Sequence, residues 1–130
     1  VVNSDKEDLN QVVMDLTNGQ GADLVVECTG APAAIASMPD LLRKKGRICV
    51  IGLTGGKEVP FPWDKAAFKV CDIFFSLSTS YTSWDRTIAL IATGRIPAGT
   101  IVTHRLPLED WETAFDLVEG LRALKVLLVP

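Results

Sequence analysis

The residues placed to do chemistry fall at three points where an apolar run ends. Cys28-Thr29-Gly30 follows Asp23-Leu24-Val25-Val26-Glu27, Ile51-Gly52-Leu53 closes Arg47-Ile48-Cys49-Val50, and Ser76 to Ser80 follows Ile73-Phe74-Phe75. In an open parallel sheet, ligands bind beyond the carboxyl ends of the strands, so the three segments would meet along one edge. A glycine at such an end lets a neighbour approach the main chain, because no side chain stands in the way. The same glycines also suit tight strand-to-loop turns, and the pattern leaves both readings open.

Other reactive side chains are weaker candidates. His104 is the only histidine and stands between Thr103 and Arg105 on a short apolar stretch, where a structural or solvated ring is the ordinary outcome. Cys28 has no candidate base near it in sequence, and a strand-buried thiol is usually inert. Glu109, Asp110, Glu112 and Asp116 lie in and around one helix start, where they complement its dipole as a solvated face. Trp84, Trp111 and Phe115 fall on apolar stripes and read as core. The three cysteines, Cys28, Cys49 and Cys71, are odd in number and widely spaced, which fits reduced thiols and a cytoplasmic setting better than a disulfide framework. With no Cys-x-x-Cys and no His/Cys cluster, neither a metal ligand nor a catalytic residue is expected in this stretch.

The elements that must position these segments follow from spacing. The 130 residues are 48% apolar and 22% charged with a formal net charge of −3, the profile of a soluble globular domain. No basic field is present to recruit nucleic acid, and no apolar run is long enough to span a bilayer, so neither is expected as a partner. Val1-Val2-Asn3, without an initiator methionine, reads as the tail of a strand and suggests a fragment. Ser4-Asp5-Lys6-Glu7 offers a capping box for a helix striped by Leu9, Val12, Val13 and Leu16, stopped at Asn18 to Gly21. Asp23 to Cys28 is a strand. A helix then runs from Pro32 to about Lys45, with a kink or restart at Pro39. Arg47 to Leu53 is a strand buried on both faces. A loop with Pro60 and Pro62, a short helix from Asp64 to Val70 and a strand from Ile73 to Leu77 come next. Ser83 caps a helix from Trp84 to Thr93. Ile101 to Arg105 and Lys125 to Val129 read as strands, with a helix striped by Leu108, Trp111, Phe115 and Val118 between them. Strands separated by helix-length connections argue for a parallel sheet covered on both sides.

Gly21-Ala22-Asp23-Leu24-Val25-Val26-Glu27-Cys28-Thr29-Gly30, followed by Leu41 to Gly52, closely resembles the medium-chain, zinc-type alcohol dehydrogenases. Gly94-Arg95-Ile96, Ile101 to Glu109, Ala114-Phe115 and Lys125-Val126-Leu127-Leu128 resemble the family's closing segments in the same order. Phe61-Pro62-Trp63-Asp64 and Tyr81-Thr82 look most like its sorbitol and threonine dehydrogenase branch. The resemblance implies an α/β fold, a partial Rossmann-type doubly wound parallel sheet lacking its first strands. Residues 1–79 would be the latter part of the dinucleotide-binding domain, and residues 80–130 segments returning toward a catalytic domain outside this chain. Val1-Val2 would end strand 3 of the order 3-2-1-4-5-6, leaving Leu24-Val25-Val26 with an unpaired edge.

Carried over residue by residue, the resemblance implies a cofactor, NAD or NADP, with Cys28, Thr29 and Gly30 on its ribose side. Ile51, Gly52 and Leu53 would border the nicotinamide, backbone groups there and near Ser78 and Ser80 would hold its carboxamide, and Lys125 would face the pyrophosphate. Leu77 departs from the glycine common in relatives, which bears on the backbone path at Ser78 to Ser80. Zinc is implied only upstream of this chain, and the substrate would be a small alcohol or polyol. A homo-oligomer is expected through Ile73 to Leu77 or the exposed strand edge. Two further readings remain: a zinc-free quinone reductase of the same superfamily, and a non-catalytic nucleotide-binding or assembly module.

Overall fold

The computed structural model describes residues 1–130, which form two compact units, Val1–Ser78 and Thr79–Pro130. In the first, α1 (Leu9–Leu16), β1 (Ala22–Glu27), α2 (Pro32–Leu41), β2 (Leu42–Val50), α3 (Trp63–Lys69) and β3 (Asp72–Phe75) alternate along the chain. The three strands are parallel in the order β1-β2-β3, with Val25 beside Ile48 and Ile48 beside Ile73 on one face, and Val26 beside Cys49 and Cys49 beside Phe74 on the other.

The strand order advances in one direction, so right-handed crossovers deliver α2 and α3 to the same face. They touch each other, and α1 lies beside α2. Met38 of α2 with Leu42 and Ile48 of β2 form the buried centre, and Val25, Ile35, Ile73 and Phe61 pack around it. On the opposite face Leu24, Val26 and Phe74 are 42%, 49% and 43% exposed. The expected cover on both sides is therefore present on one side only within the first unit. β2 is central and buried at both Ile48 and Cys49, whereas the outer edge of β1 pairs with no strand.

Several element boundaries differ from the sequence expectation for identifiable reasons. Val1 to Asn3 form no strand; the Asn3 carbonyl instead accepts from the N–H groups of Lys6 and Glu7 in a turn. The α1 cap is Asp8 rather than Ser4, its carboxylate accepting from Asn10 N at 2.9 Å and Gln11 N at 3.3 Å. α2 neither restarts at Pro39 nor reaches Lys45. It ends at Leu41 with Pro39 in its last turn, and the chain becomes β2 at once, turning through a left-handed Lys45 at φ 57°. β2 stops at Val50 and β3 at Phe75, so Ile51 to Leu53 and Ser76 to Ser78 lie beyond the strands.

The second unit holds α4 (Tyr81–Ala92), a 3-10 turn (Ala98–Ile101), β4 (His104–Pro107), a 3-10 turn (Leu108–Asp110), α5 (Trp111–Glu119) and β5 (Val126–Val129). β4 and β5 pair in parallel, His104 beside Val126 through Pro107 beside Val129, with α5 as the crossover. The expected strand from Ile101 starts instead at His104, because Gly99 to Ile101 turn. Ser80, not Ser83, caps α4, its Oγ accepting from Ser83 N at 3.2 Å. Trp84, Trp111 and Phe115 are 59%, 51% and 59% exposed rather than core. Their stripes are real, but these side chains stay more than half exposed. No helix is long and apolar enough to cross a membrane.

The core position sets a contrast in stability. Leu42→Ala, emptying a site with 0% exposure, is expected to cost about 2–5 kcal/mol. Phe68→Ala, at a side chain 82% exposed, should change stability by no more than about 0.5 kcal/mol. Urea unfolding midpoints of the two variants measure this, and equal losses would place the core elsewhere.

Candidate functional site

The carboxyl ends of the three strands are tied across by main-chain hydrogen bonds. The Glu27 carbonyl accepts from Ile51 N at 2.8 Å and Gly52 N at 3.1 Å, and the Val50 carbonyl accepts from Ser76 N at 2.9 Å. The Glu27 side chain folds over its own strand end. Its Oε1 accepts from Thr29 N at 2.7 Å, the Thr29 hydroxyl at 2.6 Å and Gly30 N at 2.9 Å. Thr29 Oγ1 in turn accepts from Ala31 N at 3.0 Å, fixing the residue from which α2 starts.

Gly30 and Gly52 are required, and the neighbour that approaches them is the chain itself. A Cβ at Gly30, where φ is +68°, would stand 2.1 Å from the Leu53 carbonyl oxygen. One at Gly52 would stand 2.3 Å from Glu27 Oε2, 2.3 Å from Gly30 N and 2.7 Å from Thr29 N. The two strand-end loops therefore pack backbone to backbone, and both glycines serve that contact. A shelf for a ligand is left at the rim, where Cys28, Thr29, Ile51 and Leu53 are exposed while Gly30 is buried and Gly52 half-buried. An apolar cleft of about 330 Å³ opens beside it, lined by Ile35, Val50, Gly52, Leu53 and Phe61 among others.

Glu27 is the residue that the sequence reading passed over. It is 4% exposed, and its Oε2 has no hydrogen-bond partner. Burial pushes its pKa up, but the hydrogen bonds from the Thr29 hydroxyl, Thr29 N and Gly30 N outweigh it and hold the carboxyl below the usual glutamate value. The available signal was an acidic residue ending an otherwise apolar run, three positions before a glycine.

Of the nine expected site residues, the structure brings Cys28, Thr29, Gly30, Ile51, Gly52 and Leu53 to one edge. Cys28 is exposed just past β1 rather than buried in it. Ser78 closes the first unit in a left-handed conformation at φ 65°, at a cost of roughly 1–2 kcal/mol for a residue with a Cβ. Ser80 and Lys125 belong to the second unit. Ser80 is engaged as a helix cap, and Lys125 precedes β5, its carbonyl accepting from Thr103 N at 3.0 Å. His104 lies within 3.0 Å of its neighbour Thr103 through Nδ1 and Oγ1. No group of three or more His, Cys, Asp or Glu side chains converges, so residues 1–130 do not supply a zinc ligand set. The strand-end rim is accessible at Thr29 and Ile51, apolar at Leu53, and held in place from behind by the Glu27 carboxylate.

Gly52→Ala and Gly30→Ala are expected to destabilise the protein by about 2 kcal/mol or more, since backbone on both sides must move. Gly99→Ala meets nothing within 4 Å and should stay within about 0.5 kcal/mol; thermal unfolding separates the three. Because the folded-state pKa of Glu27 lies below its unfolded value, its stabilisation is full above the ordinary glutamate pKa and is lost as pH falls through the lowered folded value. Unfolding free energy followed from pH 7 downward, roughly over the acid range of carboxylates, should fall less steeply in Glu27→Gln than in the wild type.

Comparison with known proteins agrees with this architecture. Sorbitol dehydrogenase of Halalkalibacterium halodurans is 34% identical over 129 residues, covering 99% of this chain and 38% of its own length. The erythritol/L-threitol dehydrogenase of Mycolicibacterium smegmatis is 34% identical over 131 residues, 99% of this chain and 36% of its own. Among solved structures, alcohol dehydrogenase TADH from Thermus sp. ATN1 superposes with a TM-score of 0.89 at 32% identity, covering 99% of this chain and 38% of that one. An alcohol dehydrogenase from Thermotoga maritima gives a TM-score of 0.90 at 28% identity, over 99% and 37%. The chain spans less than two-fifths of the length of these relatives, and its parallel α/β fold matches their C-terminal, Rossmann-type part. Residues 1–93 match the model of the zinc-binding dehydrogenases, and the chain belongs to that family.

Proposed function

We propose that this chain forms one wall of the NAD(P) cleft of a dehydrogenase that oxidises a secondary hydroxyl of a polyol- or sugar-type substrate. The observation that carries the reading is the strand-end rim. The ends of β1 and β2 are tied into one edge, in a chain whose relatives are named as sorbitol and erythritol/L-threitol dehydrogenases. Residues 1–79 would be the latter part of the dinucleotide-binding domain, and residues 80–130 would return toward the catalytic domain.

The bound dinucleotide would supply the nicotinamide ring that accepts the hydride. Cys28, Thr29 and Gly30 would form the ribose side of the wall and Ile51, Gly52 and Leu53 the nicotinamide side. Apolar Ile51 and Leu53, 46% and 71% exposed, would exclude water once covered, strengthening polar contacts inside the cleft. Main-chain groups near Ser78 and Ser80, and the cation of Lys125, complete the proposed set. The zinc that the family name implies finds no ligand set among these residues. Phe74 and Phe75 on β3, with the open edge of β1, are the proposed surfaces of a homo-oligomer, and a cytoplasmic setting would keep the three free thiols reduced.

The protein expressed from the complete reading frame is expected to bind NADH or NADPH and to reduce the oxidised cofactor with a polyol. The 130-residue chain alone is expected to turn over no alcohol. Fluorescence titration of the reduced cofactors and a polyol panel followed at the nicotinamide absorbance check both. Turnover by the 130-residue chain alone, or a complete protein that binds neither cofactor, would sink the reading.

A further inference from the structure

We infer that Glu27 is the positioning residue of the strand-end rim: acting through Thr29 and Gly30, its ionised carboxylate sets the main-chain path of residues 28–30 against Ile51 to Leu53. The inference rests on the dinucleotide-cleft reading above and assigns the residue that shapes that cleft's wall.

One residue reaches both halves of the wall. Its carbonyl holds Ile51 N and Gly52 N, and its carboxylate holds Thr29 N, the Thr29 hydroxyl and Gly30 N. Three donors on one oxygen suit an anion, since hydrogen bonds to a charged acceptor are about twice as strong as neutral ones. Oε2 is buried without a partner, in a site so tight that a Cβ at Gly52 would lie 2.3 Å from both Oε2 and Gly30 N.

A glutamine in this position fits badly either way round. With its carbonyl oxygen in place of Oε1, its amide places two new donors where Oε2 stood, in a site where a Cβ at Gly52 would already lie 2.3 Å from both Oε2 and Gly30 N. Flipped, the amide donors face three donors directly. The first arrangement trades a charged acceptor of three hydrogen bonds for a neutral one and the second leaves buried donors facing donors, and the segment that can yield is the exposed one, Cys28 and Thr29. Glu27 itself is buried and would not touch the cofactor, so its effect on binding is indirect.

The test uses the protein from the complete reading frame, titrated with NADH and separately with NADPH, with unfolding midpoints recorded in parallel. Glu27→Gln is expected to weaken binding about tenfold or more. Thr29→Val, which removes the hydroxyl that donates to Glu27 and accepts from Ala31 N, should weaken it in the same direction, and Thr29→Ser, which keeps that hydroxyl, should recover most of the loss. Ile48→Val serves as the control for general destabilisation, expected to lower the midpoint and leave affinity unchanged. If the wild type binds neither cofactor, the cleft reading fails and this inference falls with it. If the wild type binds but Glu27→Gln binds equally well, or Ile48→Val weakens binding as much, Glu27 is only a general prop and the inference alone is overturned. Should Glu27→Gln fail to fold, the threonine pair decides: Thr29→Val equal to wild type overturns the inference, and loss with recovery in Thr29→Ser supports it.

Discussion

The contact between the two strand-end loops, closed by the Glu27 carboxylate, is the constraint on which the candidate site depends. Two glycines permit the approach, and one buried anion holds it. Removing either glycine's freedom puts a Cβ inside 2.5 Å of backbone, and removing the anion leaves three donors facing no acceptor. The exposed residues of the rim keep their place because the layer behind them is filled. The structure thereby joins two readings that the glycines had left open: they are turn residues with a close neighbour, and the neighbour is the other loop.

The sheet behind the rim is asymmetric for a topological reason. Strands laid down in one direction with right-handed crossovers send every helix to the same side, so the Val25, Ile48 and Ile73 face acquires a core while the Leu24, Val26 and Phe74 face stays open. Cys49, 9% exposed, sits between Val26 and Phe74 in the central strand. The same arrangement leaves β1 with a free edge, which natural sheets ordinarily pair or cover. An exposed apolar face of this kind is where a soluble protein makes contact with something else.

Much of this was legible in the sequence where period and punctuation agree. The apolar runs of β1 and β2, the glycines after them and the helix stop at Asn18 to Gly21 carry the α/β alternation and the edge at which a site should lie. Boundaries failed where two signals competed. Ser4 had a glutamate at the right spacing for a cap, yet Asp8 lies next to the first stripe residue and takes that role. Pro39 marked a break in α2, but a last-turn proline leaves the helix only two residues to run, and the strand pattern beginning at Leu42 was masked by Arg43, Lys44 and Lys45. Burial of Trp84, Trp111 and Phe115 was inferred from stripes, and a stripe states which face is apolar without stating what meets it.

Glu27 was invisible for a different reason. Periodicity places a residue on a face by its hydrophobicity, and a glutamate at the end of a strand reads as the point where the chain enters water. Its role depends on donors at positions two and three further on, which appear only when the chain turns back at Gly30. Such a carboxylate tolerates burial because local N–H groups replace water at one oxygen, and the turn holds its shape because the carboxylate is there. Neither partner precedes the other. A strand-end acid followed by a small hydroxyl residue and a glycine is therefore best read as one local unit, in which the glycine makes the turn and the acid fixes it.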